Sequence, residues 1–209
     1  HVGTPQLCNR PRPSAVLSSQ AMEHAPLINR ILRGDGRAYG ELVQCYEHMV
    51  YTICLRILRN KEDAQEAAQD CFVNAYEHLC SFGGTSKFST WLYTIAYRCA
   101  VSRKRKRRPE LVSVDEIPFA APTADGRDPL HTSDVKRHLE KALGALSGED
   151  AAVLTFYYLE ELNVEEIVTI TGLGASNVKV RLFRARRHLE EALNKELNGN
   201  ARELLLSNG

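Results

Sequence analysis

Apolar side chains recur every three or four residues through two long stretches of the chain, residues 24–108 and 132–198. This spacing places them on one side of an α-helix, and neither stretch shows a run of the strict alternation typical of a half-buried strand. Residues 109–131 lack the helical period and hold four of the eight prolines, which is typical of a linker. The sequence therefore predicts an all-α protein with two small helical domains, 22–108 and 132–198, joined by a flexible Pro-rich linker.

The two ends of the chain fall outside this pattern. Residues 1–21 contain three prolines and no sustained apolar core of a secretory signal. We interpret them as a disordered leader or as residues foreign to the native chain, with Met22 as a possible native start, and residues 199–209 as a tail. No apolar run reaches the ~18 residues that suggest a membrane helix.

Composition and cysteine usage favour an intracellular, non-enzymatic protein. The six cysteines show no CxxC pairing, which is typical of buried thiols in a reducing compartment. The hydroxyl and histidine side chains show no triad or acid/base pair. We expect a cytoplasmic protein that is not an enzyme, does not insert into a membrane, and needs no metal and no cofactor.

The C-terminal stretch predicts three helices, the second of them short. Ser147 and Asn163 each stand three residues before an acidic residue, the capping pattern that starts a helix. TGLG at 171–174 then interrupts the chain, and Ser176 is expected to cap the third helix. That helix carries an apolar stripe for packing, formed by Val178, Leu182, Ala185, Leu189 and Leu193.

The third helix also concentrates positive charge. Five cations lie between Lys179 and Arg187, although the formal net charge of the chain is only +1. Acidic residues in 149–166 compensate the total, so one face can still carry a strong local field. A glycine-containing turn before a helix with a basic outer face is typical of a helix-turn-helix, whose second helix enters the DNA major groove. A solvated basic helix is the simpler alternative.

A predicted helix at 61–79 has an acidic face. Its packing stripe consists mostly of small side chains: Ala64, Ala68, Cys71, Ala75 and Leu79. Glu66, Asp70 and Glu77 lie on the opposite side, beside Asp63. This face suits a protein partner, or it is simply a solvated acidic surface.

The loop at 81–89 and the helix at 90–108 combine aromatic residues with cations. Leu92, Ile95, Ala96 and Cys99 are predicted to face the core, whereas four residues lie off that stripe: Trp91, Tyr93, Tyr97 and Arg98. Six consecutive cations follow at 103–108. Aromatics beside cations are typical of single-stranded nucleic acid binding. The run alone could equally be a solvated tail, the aromatics alone could belong to the core, and the loop alone could be an ordinary interhelical turn.

These segments, in this order, resemble a bacterial RNA polymerase sigma factor of the extracytoplasmic-function (ECF) group of the sigma-70 family, over roughly residues 24–195. DAQEAAQDCFVNAY at 63–76 is similar to the polymerase-binding helix of that family. FGGTSKFSTWLYTIAYR at 82–98 is similar to its promoter-melting loop and proximal-element helix, and residues 146–186 to its distal-element helix-turn-helix. The two predicted domains would then be region 2-like (22–108) and region 4-like (132–198).

The resemblance implies a role for each of three residue sets. The polymerase-docking set is Asp63, Glu66, Gln69, Asp70 and Phe72. The set near the melted DNA and the proximal element is Ser86, Lys87, Phe88, Trp91, Tyr93 and Arg98. The set that reads the upstream element is Ser176, Asn177, Lys179, Val180, Arg181, Phe183 and Arg184.

The resemblance also implies partners: core RNA polymerase, promoter DNA both duplex and melted, and an anti-sigma factor. Two departures from the family pattern stand out. Arg98 and Ser102 occupy positions where many members carry Asn and Asp, and the run at 103–108 is more basic than usual.

The residues themselves leave two other functions open. A conventional helix-turn-helix regulator would need neither the acidic helix nor the glycine-containing loop, and it would usually dimerise on a palindrome. A helical adaptor that binds only proteins would show no sequence preference for DNA.

Overall fold

A computed structural model describes residues 24–106 and 129–207, with side chains described for 24–106 and 137–195. The chain divides into two compact units, the first formed mainly by residues up to Lys106 and the second mainly by the residues that follow. Every regular element in the described residues is helical, which confirms the predicted all-α class. Residues 1–23, 107–128 and 208–209 lie outside the description, and with them the predicted leader and most of the predicted linker.

Between residues 24 and 106, the first unit contains four α-helices and a short 3₁₀ turn. They are α1 (Ala25–Leu32), α2 (Gly36–Leu58), α3 (Lys61–His78), the 3₁₀ turn (Leu79–Ser81) and α4 (Phe88–Lys106). Helices α2, α3 and α4 all pack against one another, and α1 packs on α2. The unit is therefore a three-helix bundle with a short fourth helix against it.

Local signals in the sequence set the starts of α2 and α3. The Asp35 carboxylate accepts hydrogen bonds from the backbone N–H groups of Arg37 and Ala38, at 3.1 and 3.2 Å. The Asn60 side chain accepts from the N–H of Asp63 at 2.8 Å. Each cap satisfies donors that have no partner within the helix.

The predicted small-residue stripe of α3 is confirmed. Its alanines and Cys71 are buried, with Ala64 and Cys71 fully inaccessible. Small side chains let the neighbouring backbones approach closely, so α3 is held between α2 and α4 by close packing. Because that side of α3 is fixed inward, its acidic side is fixed outward.

Helix α4 buries more aromatic surface than its sequence suggested. Tyr93 and Tyr97 were predicted to lie off the core stripe, and this is wrong: they are 2% and 8% exposed. Leu92 and Ala96 are buried as predicted. Contact with α2 as well as α3 widens the buried sector of α4 beyond a single stripe.

The second unit contains α5 (Pro129–Ala145), α6 (Gly148–Tyr158), α7 (Val164–Thr171) and α8 (Ala175–Ser207). Helix α5 begins three residues before the predicted boundary at 132, with a proline as its first residue, a position that proline tolerates well. Helix α8 continues past 198 into the predicted tail; alanine, arginine, glutamate and leucine dominate there and favour a helix.

The predicted caps of the second unit hold in two of three cases. Ser147 Oγ accepts from the N–H of Asp150 at 3.2 Å. Asn163 and Glu166 cap reciprocally, with the backbone N–H of each bonded to the side chain of the other at 3.0 and 2.9 Å. The prediction that Ser176 caps α8 is wrong, because the carbonyl of Gly174 accepts from the N–H of Val178 at 3.0 Å and the helix begins at Ala175, two residues before the start that a Ser176 cap implies.

The core of this unit lies where α8 meets α5 and α6. Phe156 and Val178 are fully buried, as is Ala185, and Leu182 is 3% exposed. The predicted packing stripe thus fixes the rotation of α8. Its opposite face is presented to solvent by that same rotation.

Candidate functional site

The outer face of α8 carries most of the predicted upstream-element residues. The structure brings them onto the exposed side of the helix: Ser176, Asn177, Lys179, Val180, Phe183 and Arg184. They span the first three turns, the part of a helix that can reach furthest into a groove when its N-terminus leads.

Two large apolar side chains stand out on this face. Phe183 is 66% exposed and Val180 is 47% exposed. They are three residues apart, so they are neighbours on the helix surface. Lys179 and Arg184 border them, and within the described part of the chain neither cation forms an ion pair. The face therefore combines apolar contact area with uncompensated positive charge.

Arg181 differs from the rest of its predicted set. Its Nη1 lies 3.2 Å from Glu149 Oε2 and 3.2 Å from Asp150 Oδ1, and its side chain is only 27% exposed. These ion pairs tie α8 to the first turn of α6. The structure thus places Arg181 in the packing of the helix-turn-helix, an arrangement that the sequence did not reveal.

Arg186 and Arg187, which follow Arg184 in α8, have partners within the unit. Arg186 lies over the rings of Tyr157 and Tyr158, with its guanidinium carbon 5.2 and 5.6 Å from the ring centroids, a cation–π geometry. Arg187 pairs with Glu191 one turn later, at 3.0 Å. The contact of Arg186 holds one flank of α8 against α6, whereas Arg187 lies four residues after Phe183 on the outer face and is 70% exposed.

In the first unit, the loop before α4 closes over an aromatic cluster centred on Phe88. The ring of Phe88 lies 5.5 Å from the rings of Phe82, Trp91 and Tyr46 and is 3% exposed. Gly84 turns the loop with a φ of +67°, a conformation that glycine adopts without strain.

Two expectations for this region need correction. Phe88 was expected to help capture a base and Tyr93 to lie near the melted DNA, yet both rings are buried. Tyr46, from α2, packs against both of them. A side chain that other rings already enclose offers no open face for stacking. Phe88 and Tyr93 therefore lie beneath the surface that the loop and α4 present to solvent.

The other residues expected near the melted DNA lie at the surface above this aromatic cluster. Ser86, Lys87 and Trp91 are partly exposed, and Arg98 is exposed two turns beyond Trp91 on the same side of α4. Trp91 packs one side of its ring on Phe82 and Phe88. The cluster fixes the indole in place while leaving part of it accessible.

The acidic side of α3 is paired with the end of α4. Arg103 contacts Glu66, and its guanidinium lies 3.6 Å from Asp63 Oδ1 and 3.3 Å from Asp70 Oδ2. Asp63 is the most covered of the three carboxylates, whereas Glu66 and Asp70 are 62% and 64% exposed.

The two remaining docking candidates differ from each other. Gln69 is exposed beside the acidic residues. Phe72 is half-buried on another side of α3, and its backbone carbonyl accepts a hydrogen bond from the Tyr39 hydroxyl of α2. Phe72 thus lies at the edge of the α2–α3 contact.

One exposed residue on α3 was missed by the sequence reasoning. Val73 is 58% exposed and lies three residues after Asp70 and seven after Glu66, which places it on the acidic face. The helical spacing alone could have revealed it. Apolar area surrounded by charge is the usual anatomy of a protein-binding surface.

The described residues contain no group of three histidine, cysteine or carboxylate side chains placed to hold a metal ion. No helix among them is long and apolar enough to cross a membrane.

Comparison with known proteins identifies both units. Residues 42–110 match the family model "Sigma-70 region 2", and residues 136–189 match "Sigma-70, region 4". The ECF RNA polymerase sigma factor SigW of Bacillus subtilis is 31% identical over 180 residues, covering 81% of this chain and 94% of that protein. The RNA polymerase sigma-H factor of Pseudomonas aeruginosa is 30% identical, covering 80% and 92%.

Solved structures show the same fold. The sigma factor RpoE of Bartonella quintana, crystallised with the anti-sigma factor NepR, superimposes with a TM-score of 0.60 at 22% identity. The match covers 75% of this chain and 96% of that one.

Proposed function

Since this chain belongs to the extracytoplasmic-function group of the sigma-70 family, we propose that its surfaces divide promoter recognition and polymerase docking between the two units. Sigma factors are non-catalytic proteins that direct promoter recognition and transcription initiation. The first unit, region 2-like within 22–108, binds core RNA polymerase and melted DNA. The second, region 4-like within 132–198, binds the upstream promoter element, and residues 109–131 join them.

The observation that carries this proposal is the outer face of α8. Its back is anchored in the core by Val178 and Leu182, while Lys179 and Arg184 project without an ion pair among the described residues. Arginine can bond guanine in the major groove, and both cations can neutralise phosphates. Ser176 and Asn177 are short polar groups near the start of the helix, where the backbone approaches the bases most closely.

Arg181 contributes to this site indirectly. Its ion pairs with Glu149 and Asp150 fix the angle between α6 and α8. A helix that enters a groove needs a fixed angle, because small rotations displace the side chains at its tip from the base edges.

The first unit contacts the melted strand through a supported surface. Trp91, Lys87 and Ser86 offer a ring, a cation and a hydroxyl around the loop, and Arg98 adds charge further along α4. Unpaired bases stack on aromatic side chains with a gain of ~1–3 kcal/mol per base. That gain offsets part of the few kcal/mol that extruding a base costs, and the buried Phe88 and Tyr93 hold the surface rigid.

The acidic face of α3 docks on core polymerase. Glu66, Gln69 and Asp70 are exposed there, with Asp63 beside them and Val73 among them. A basic partner surface complements this face. The two DNA-binding surfaces are carried by one chain. Once one of them has bound DNA, binding of the other becomes effectively intramolecular, so weak individual contacts suffice.

Two further expectations follow from family membership. The protein acts in the cytoplasm, where polymerase and the chromosome are found. An anti-sigma factor covers the same surfaces when the protein is inactive. In the Bartonella quintana structure the sigma factor is itself bound to an anti-sigma factor.

The DNA-binding assignment is tested by Arg184→Ala in the full chain. If Arg184 contacts a base, the substitution should weaken binding to a selected upstream-element duplex by about 1–3 kcal/mol. Arg186→Ala is the matched control, because the Arg186 guanidinium lies over the rings of Tyr157 and Tyr158 on the flank of the helix. Equal affinities of wild type and Arg184→Ala, measured by fluorescence anisotropy, would remove Arg184 from the site.

A further inference from the structure

The first cation of the basic run reaches across to the acidic face of α3. Asp63, Glu66 and Asp70 are spaced i, i+3 and i+7, so their carboxylates line one side of the helix. The Arg103 guanidinium, from the last turn of α4, contacts all three. Its side chain is 28% exposed, whereas Glu66 and Asp70 remain mostly exposed. The ion cluster thus lies at the surface and not within the core.

We propose that Arg103 is an internal counter-ion of the docking face, which lowers its affinity for the basic surface of core polymerase. This inference rests on the proposed function of α3. Arg103 occupies the position that a cation of the partner would take between the carboxylates. Docking then requires the partner to compete with a group that the chain itself supplies.

The charge balance gives the direction of the effect. Three carboxylates against one guanidinium leave this part of the face with a net charge of about −2, and without Arg103 it would be about −3. Attraction to a basic surface grows with that charge, and so does the rate of encounter. Since two of the carboxylates are more than half exposed, their pairing with Arg103 is weak and can be exchanged for pairing with a partner.

A positioning role for Arg103 would change the affinity for polymerase in the opposite direction. If Arg103 chiefly held the carboxylates in the geometry that the polymerase needs, its removal would weaken docking. The exposure of Glu66 and Asp70 argues against this, because exposed carboxylate side chains can adopt the required rotamers when the partner arrives. The sign of the change in affinity therefore separates a counter-ion from a positioning residue.

The test uses the full chain and core RNA polymerase without DNA, so that loss of DNA contacts by the basic run has no influence. Arg103→Gln keeps the length and polarity of the side chain but removes its charge. We expect assembly to become about two- to tenfold tighter at low salt, chiefly through faster association, and the gain to shrink as salt screens the charges. Arg105→Gln is the matched control, an exposed cation of the same run that has no ion pair with a described residue, and it should show little change.

Asp70→Asn, measured in parallel, distinguishes the two possible failures. If Asp70→Asn weakens assembly and Arg103→Gln does not strengthen it, the counter-ion role is overturned while the docking face stands. If neither substitution changes assembly, the docking face itself is wrong. Thermal unfolding of each variant verifies that the α3–α4 contact is intact, since a partly exposed ion pair adds little to stability.

Discussion

The exposed apolar pair on α8 leads to a prediction about which base it reads. Phe183 and Val180 lie on the face that we assign to the major groove, with about two thirds and one half of their surface accessible. Thymine is the only base with a methyl group in that groove, and apolar side chains contact it. We therefore expect at least one thymine of the upstream element to be read through its methyl group. Replacing thymine by uracil removes that group and keeps every hydrogen bond of the base pair.

The expected magnitude follows from the area that can be buried. Burying one methyl or methylene group contributes about 0.8 kcal/mol. Tenfold in affinity corresponds to about 1.4 kcal/mol, so one lost methyl contact weakens binding about fourfold. Phe183 and Val180 have enough accessible surface to cover one or two methyl groups between them. If two thymines are contacted, replacing both with uracil should weaken binding roughly tenfold or slightly more.

The assay is fluorescence anisotropy on a selected duplex in which each thymine is changed to uracil in turn. The same series is run with Phe183→Ala, which forms a double-mutant cycle with the methyl group. We expect the sensitivity to uracil at the contacted position to disappear in Phe183→Ala, while binding through the cations persists. The interpretation would be refuted if no position responded to uracil, or if wild type and Phe183→Ala lost the same affinity at every position.

Two further predictions concern the cores of the units. Phe156→Ala should destabilise the second unit by about 3–5 kcal/mol, because its ring is fully buried; hydrogen exchange should show α8 losing amide protection while α2 keeps it, and unchanged protection of α8 would contradict the packing. Burial raises the pKa of the Cys54 thiol to about 12, so at pH 8 it is almost entirely protonated and occluded. Iodoacetamide should label the exposed Cys45 well before Cys54 in the folded protein, and equal labelling rates would show that Cys54 is accessible.

The helical elements and their orientation could largely be predicted from the sequence. Apolar spacing and capping residues are local signals, so Ser147, Asn163 and the stripe beginning at Val178 indicated both the helices of the second unit and the outward face of α8. The small-residue side of α3 predicted its opposite face in the same way. Local spacing thus indicated the outward face of α8, whereas the upstream-element role of its residues came from the resemblance to the family.

The parts that could not be predicted depend on contacts between distant segments. Tyr46 lies about 40 residues before Phe88 and Tyr93, and nothing in the pattern of α4 shows that an aromatic ring from α2 covers them. Arg103 reaches across to a different helix, α3, and Arg181 reaches carboxylates more than 30 residues earlier. In each case the side chain looked available from the sequence and is engaged in the fold. The exposure of a side chain depends on tertiary packing. Which residues are free to contact DNA or polymerase therefore cannot be predicted from local sequence patterns alone.

Run-off transcription with bacterial core polymerase tests the central claim most directly. The protein is added to core enzyme on a pool of genomic promoters, alongside Asp70→Arg, which reverses a charge at the centre of the acidic face of α3. We predict specific new transcripts with the wild-type chain and none with Asp70→Arg, although that variant should remain folded and bind the upstream element. Transcripts of equal strength with both proteins would contradict the docking assignment, and no specific transcripts with folded wild-type protein and a compatible polymerase would contradict the proposed function as a whole.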